Sequence, residues 1–222
     1  MNADRDIVVA ITGASGAAYA LRLLQALSCA GRDAHVVVSG AARQVFHQEL
    51  DMALPQKNGD SPEWLELASS LATGRLGAVW KFRELTPFPD TSPGRIRQYG
   101  LGDFQSRLAS GSSLTGGMII CPCSMGTLAA IASGASQNLI HRAADVHLKE
   151  RRPLILVPRE TPLGIIQLEN MLAVSRAGAT VLPAMPGLYH QPECLGDLVD
   201  FITARILDHL RIPHKLAKRW GE

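Results

Sequence analysis

The sequence predicts an α/β fold: a doubly wound, mostly parallel sheet with helices on both faces, flavodoxin-like or Rossmann-like. Short continuous apolar runs recur along it, the pattern of strands buried on both sides. Longer stretches with apolar residues on one helical face follow them, and such β-then-α alternation builds an open parallel sheet. The 222 residues suffice for one sizeable core. Residues 1–222 are therefore expected to form a single domain, with a loop-rich excursion at about 55–110.

Residues 7–12 (IVVAIT) are the first expected strand. Residues 17–30 follow as a helix, with Leu21, Leu24 and Leu27 on one face and Gly31 as a stop signal. Residues 34–39 (AHVVVS) predict the second strand, and 41–50 the second helix. Residues 118–121, 154–157 and 180–182 supply three more strands, with helices expected at 127–133, 163–177 and 195–210. The segment 55–110 breaks the alternation, being rich in Pro, Gly, Ser and Asp, and TPFPDTSPG (86–94) is loop chemistry. Inside it, residues 64–71 predict a helix and 78–82 a short strand. The remainder reads as a surface excursion.

Charge is nearly balanced at +2, so bulk attraction to nucleic acid or an anionic membrane is not expected. The weakly polar run 118–135 is interrupted by Pro122 and by Gly, Ser and Thr, which fits strand-turn-helix better than a membrane span. A polar start leading straight into a strand lacks the pattern of a signal peptide and predicts a cytoplasmic protein. Of the cysteines at 29, 121, 123 and 194, only Cys-Pro-Cys is closely spaced. It lacks the two-residue spacer of zinc knuckles and redox pairs, so no metal site is expected.

Chemistry-bearing residues gather at predicted strand ends. Thr12-Gly13-Ala14-Ser15-Gly16 lies between the first strand and helix, where glycines admit a phosphate and a helix N-terminus offers free N–H groups. A tight β-α turn alone also uses such residues. Ser39-Gly40 ends the second strand without the acidic residue of dinucleotide binders. No tyrosine has a lysine four residues later, which removes the short-chain dehydrogenase reading. Ser110-Gly111-Ser112-Ser113 is either a flexible loop or a set of small donors around a flavin or phosphate. Arg142, Lys149, Arg151, Arg152 and Arg159 form a cationic stretch, of which Arg151 and Arg152 read as solvated. Arg159 and Glu160 follow the buried run 154–157, whose carboxyl end should face a ligand crevice. Glu49 on a helix and Tyr189-His190-Gln191-Pro192 after the last strand stay ambiguous on pattern alone.

Together these blocks resemble the UbiX-type flavin prenyltransferases. The likeness runs through Thr12–Gly16, Ser110–Ser113, Cys121-Pro122-Cys123-Ser124, Asn138-Leu139-Ile140 and Arg142-Ala143-Ala144-Asp145-Val146. It continues through 148–154, Val157-Pro158-Arg159-Glu160, Leu168-Glu169-Asn170-Met171, 189–192 and Arg219-Trp220-Gly221-Glu222. It leaves out about 55–108, which is longer than the family's core needs.

The resemblance implies an enzyme that joins the dimethylallyl group of dimethylallyl phosphate to N5 and C6 of reduced FMN. The product, prenylated FMN, serves UbiD-type decarboxylases. It implies FMN held by Gly13, Ala14, Ser15, Ser39, Ser110, Gly111, Ser112, Ser113 and Arg142. Lys149, Arg159, Glu160, Tyr189 and Arg205 would bind and activate the substrate, with Trp220 offering a π-face to the allylic group. Catalytic roles fall to Ser15, Glu49, Glu160, Lys149 and Tyr189. No Asp-rich motif for a Mg²⁺-bound diphosphate occurs, consistent with a metal-free reaction. The family also implies a homo-oligomer, commonly a dodecamer, with sites at subunit contacts.

Two other readings compete. FMN-dependent decarboxylases of cysteine-derived carboxylates carry Pro-Ala-Ser-Ala-Asn-Thr where this chain has Pro122-Cys123-Ser124-Met125-Gly126-Thr127, without the Asn. A non-catalytic flavin-binding accessory protein would leave the charged crevice without a purpose.

Overall fold

A computed structural model describes residues 6–217, apart from 86, 89 and 90. Trp220 lies outside the described residues.

The first βα unit pairs β1 (Ile7–Ile11) with α1 (Ala17–Cys29), and β2 (Ala34–Val38) leads into α2 (Gly40–Leu50). The excursion then contributes β3 (Gly59–Asp60), α3 (Glu63–Ser70), α4 (Gly74–Trp80) and β4 (Ile96–Tyr99), with a 3-10 turn at Arg107–Ala109. The second half runs β5 (Gly117–Cys123), α5 (Met125–Ala132), α6 (Leu139–Lys149), β6 (Leu154–Pro158), α7 (Ile165–Arg176), β7 (Thr180–Val181) and α8 (Leu195–His209).

Among the described residues, seven strands join one sheet in the order β3-β4-β2-β1-β5-β6-β7. Every pairing is parallel except β3 with β4. The expected fold class is therefore the observed one. From β1 the chain builds outward to β2 and β4, then returns to place β5 on the other side of β1. Such a reversal opens a crevice at the carboxyl ends of β1 and β5.

Period-two alternation sorts the strand residues onto two cores. Ile7, Val9, Ile11, Ile119, Cys121, Ile155 and Val157 pack with α1, α2, α3 and α8. Val8, Ala10, Met118, Ile120, Leu154 and Leu156 pack with α5, α6 and α7. These strands are buried at every position, which is why they read as unbroken apolar runs.

The structure corrects the reading of the excursion. Residues 78–82 were expected as a strand, but α4 extends to Trp80, because a five-residue apolar run has no periodicity of its own. Nor is the segment only superficial, since β4 is an integral strand against β2. Its sequence IRQY hides this, because Gln98 is buried as a polar residue. Gln98 accepts from Trp64 Nε1 at 3.0 Å and donates to the Pro55 carbonyl at 3.0 Å, so its burial carries no unpaired group. Helix α6 was also not anticipated, since its buried stripe includes Ala143, Ala144 and His147, a weak apolar signal. Strand β5 runs through Pro122 to Cys123, with a register shift against β6.

Candidate active site at the carboxyl edge of the sheet

The β1–α1 turn is built by close approach. A Cβ on Gly13 would collide with the Ala41 side chain, and Gly16 has φ 128°, a conformation that favours glycine. That geometry turns the first amides of α1 towards α2. There Glu49 accepts from Gly16 N at 3.1 and 3.0 Å through its two oxygens, and from Ala17 N at 2.8 Å. A carboxylate at this helix start complements the positive dipole end. The phosphate expected on these two amides is therefore preceded by a resident anion, Glu49.

Ser39 caps α2, accepting from Ala42 N at 3.1 Å. Across the switch point, Ser124 caps α5 by accepting from Thr127 N at 3.3 Å, while its hydroxyl donates to Thr127 Oγ1 at 3.0 Å. Thr12 ties the two halves together: its hydroxyl donates to the Pro122 carbonyl at 2.8 Å and accepts from Ser124 N at 2.7 Å. Ser124 was not singled out as a site residue. A hydroxyl residue directly after a buried strand and before a helix was the signal available.

Arg159 and Glu160 follow β6 and are exposed. Arg159 Nε donates to the Ser15 carbonyl at 3.4 Å, and Glu160 Oε1 accepts from Thr161 N at 3.2 Å. Ser15, Gly16, Tyr19, Glu49 and Arg159 line one cleft of ≈ 500 Å³, whose apolar wall includes Trp80, Leu195 and Val199. Burial, with a smaller contribution from Cys121, raises the Tyr19 pKa, so its phenol stays protonated. Burial likewise raises Cys123 to about 12, which makes it inert as a nucleophile. An aromatic and aliphatic wall with the Arg159 cation and the Ser15 hydroxyl beside it suits an apolar group joined to an anionic one.

Other expected site residues lie elsewhere in the same chain. Ser110–Ser113 precedes β5 and so sits at the amino edge. Ser110 and Ser112 hydroxyls are 2.9 Å apart, and Ser113 Oγ accepts from Arg107 Nε at 2.8 Å. Gly111 packs where a Cβ would meet the Glu150 carboxylate. Arg142 donates to the Ala109 carbonyl at 3.0 Å and pairs with Asp145 at 2.8 Å. Lys149 ends α6, on the side from which β6 starts.

Tyr189 and Arg205 form a third group. The Tyr189 ring meets Phe201 edge-on at 5.6 Å, and Phe201 and Arg205 are one turn apart on α8. Arg205 pairs with Asp208 at 3.1 Å and stands about 9 Å along the helix from Val199, the α8 residue of the cleft nearest to it in sequence. One chain thus brings together Gly13, Ala14, Ser15, Ser39, Glu49, Arg159 and Glu160. It does not bring Lys149, Arg142, the serine loop or Arg205 to them.

Among the described residues, no helix is long and apolar enough to cross a membrane. The profile of the family described as Flavoprotein matches residues 1–207. A flavin prenyltransferase UbiX of Pseudomonas aeruginosa is 50% identical over 222 residues, covering 100% of this chain and 97% of that protein. The crystal structure of AnUbiX (PadA1) in complex with FMN and dimethylallyl pyrophosphate has a TM-score of 0.78 and 36% identity, covering 98% of each chain. A dodecameric FMN-dependent UbiX-like decarboxylase from Escherichia coli O157:H7 has a TM-score of 0.77 and 35% identity, covering 98% of this chain and 100% of that one. With relatives this similar along their whole lengths, the chain belongs to the flavoprotein family, among the UbiX-type flavin prenyltransferases.

Proposed function

We propose that this protein joins the dimethylallyl group of dimethylallyl phosphate to N5 and C6 of reduced FMN, working as one flavoprotein domain. The observation that carries this reading is the meeting of Ser15, Glu49 and Arg159 in one apolar-walled cleft at the switch point. Reduced FMN, when bound, supplies the nucleophilic ring positions. The chain's own residues do the rest. Gly13, Ala14, Ser15 and Ser39 frame the flavin. Arg159 neutralises phosphate charge by charge-assisted hydrogen bonding. Glu160, exposed beside it, gives a proton to the departing phosphate. Glu49 fixes the β1–α1 turn and, with the Ser15 hydroxyl, takes up the proton released at N5.

Lys149, Arg142, Tyr189, Arg205 and the Ser110–Ser113 loop enter this scheme from neighbouring copies. Two observations support it. The α7 surface exposes Ile165, Ile166, Leu168 and Leu172, with Met185 and Leu188 beyond it, and clustered exposed apolar side chains mark interaction surfaces. A related structure is also dodecameric. We propose a dodecamer here, with sites shared between subunits, and a UbiD-type decarboxylase as recipient of the product. All four cysteines are free thiols, which suits a reducing cytoplasm.

The test is direct. Incubated anaerobically with reduced FMN and dimethylallyl phosphate, the protein should yield a flavin heavier by one prenyl unit in mass spectrometry. Unmodified flavin with intact enzyme would refute the reading. Carbon dioxide release from a C-terminal cysteine peptide would favour the cysteine-type decarboxylase instead.

A further inference from the structure

The cleft has one wall that does not come from the parallel βα framework. Ser15 and Tyr19 enter from the β1–α1 unit, Glu49 from α2, Arg159 from the end of β6, and Leu195 and Val199 from α8. Trp80 comes from the excursion, at the end of α4. We propose that Trp80 is a specificity-determining residue, a stop that limits the length of the allylic chain the cleft accepts. The inference rests on the prenyl-transfer reading.

The placement of Trp80 is fixed by its neighbours. Its ring stacks on Phe82, with centroids 5.9 Å apart and planes 8° from parallel. Phe82 in turn lies under the Arg22 guanidinium, 4.8 Å from ring centroid to Cζ. Arg22 is 1% exposed and doubly bonded to Asp200 at 2.6 and 2.9 Å, and it donates to the Arg83 carbonyl at 2.9 Å. The following residue, Lys81, has φ 49° and reverses the chain, and its carbonyl accepts from Cys194 Sγ at 3.5 Å. On α8, Gly196 has no Cβ because one would stand 2.5 Å from the Trp80 carbonyl oxygen. A surface strap tied to a buried ion pair on one side and seated on a glycine on the other is rigid where it meets the cleft.

The chemistry of that wall says what it contacts. Glu49 and Arg159 make the polar side, while Trp80, Leu195, Leu198 and Val199 make an apolar one without a charge among them. An uncharged hydrocarbon tail belongs on the second side and a phosphate on the first. The indole closes the apolar side, so a second isoprene unit would meet it. A hydrophobic wall of this kind discriminates by one or a few carbons over about 10–200-fold.

The experiment compares dimethylallyl phosphate with geranyl phosphate in wild type, Trp80→Ala and Trp80→Phe, reduced FMN being supplied to each. Wild type should strongly prefer the shorter substrate. Trp80→Ala should raise the ratio of kcat/KM for geranyl over dimethylallyl phosphate by about tenfold or more, and Trp80→Phe by less. Calorimetric titration of the two phosphates without flavin should show the same relaxation in binding. Gly196→Ala, which leaves the indole intact but displaces the strap, should move the ratio in the same direction. An unchanged ratio in Trp80→Ala, or in Trp80→Phe should the alanine variant not fold, overturns the inference. Wild type that transfers no prenyl group at all instead overturns the underlying reading.

Discussion

Arg152 at the amino edge of the sheet donates to the carbonyls of Ser113, at 2.7 Å, and Gly111. Arg159 at the carboxyl edge donates to the Ser15 carbonyl at a long 3.4 Å. The same contrast holds for their surroundings. At the amino edge Arg107 donates to Asp6, Ser113 and Leu114, and Tyr99, His35 and Asp6 form a continuous hydrogen-bonded chain. At the carboxyl edge Arg159 and Glu160 are exposed beside a cleft. Polar groups with several short hydrogen bonds inside the chain hold its fold, whereas groups left facing a cavity can hold a ligand.

The strongest way to sharpen that contrast is Glu160→Gln. Loss of a proton donor at the leaving phosphate should lower prenyl transfer about 10²–10⁴-fold while FMN still binds, read by flavin fluorescence and product mass. Retained turnover would remove Glu160 from the mechanism.

A second experiment asks whether a neighbour's amino edge completes the carboxyl-edge site. Arg159→Ala and Lys149→Ala should each be nearly inactive alone. Co-assembled at equal amounts, a shared site needs an intact Arg159 from one subunit and an intact Lys149 from another. Random mixing in a symmetric oligomer then restores about a quarter of wild-type activity. Activity that stays at the single-variant level would place Lys149 outside the site.

Arg152→Ala should act differently from both. It frees two carbonyls of the Ser110–Ser113 loop, so a loss of about 1–2 kcal/mol in unfolding free energy is expected, with weaker binding of reduced FMN because that loop is the one proposed to reach a neighbour's flavin. Unchanged thermal stability together with unchanged FMN affinity would show that Arg152 does not hold this loop.

The sequence made one edge far more legible than the other. Strands β1, β2, β5 and β6 announce themselves because both faces are buried, and parallel topology then fixes where residues 13–16, 39 and 159–160 must lie. Ser110–Ser113 is a run of donors just ahead of a strand, and that position puts it at the amino edge whatever its composition suggests. Glu49 could not be read from pattern, since a helical Glu is ordinarily solvated. Its bonds to Gly16 and Ala17 N depend on α2 lying beside the β1–α1 turn. Trp80 was hidden for a related reason: nothing local in a Gly- and Pro-rich excursion shows that it returns across α1 and α8.

The smallest expected effect is on pH dependence, and it belongs to the amino edge. Burial is the main cause lowering the pKa of His35, against opposing contributions from Asp6, and it also lowers that of His147, against the Ala143 carbonyl. The hydrogen bonds fit neutral rings. His35 Nε2–H points to Asp6 at 3.2 Å and its Nδ1 faces the Tyr99 hydroxyl at 3.0 Å. His147 Nδ1–H points to the Ala143 carbonyl at 2.7 Å, leaving Nε2 to accept from Thr115 Oγ1 at 2.9 Å. Because the folded pKa values lie below the unfolded value of about 6.5, the unfolded chain binds more protons as pH falls through that value. Stability is therefore complete above about pH 6.5 and declines as the pH drops towards the lowered folded values. Urea midpoints at fixed protein concentration should fall between pH 7.5 and 5.5, and His147→Gln should flatten that slope without moving the activity profile. A flat wild-type profile, or an equally steep one in the variant, would show that the amino edge does not hold its histidines neutral.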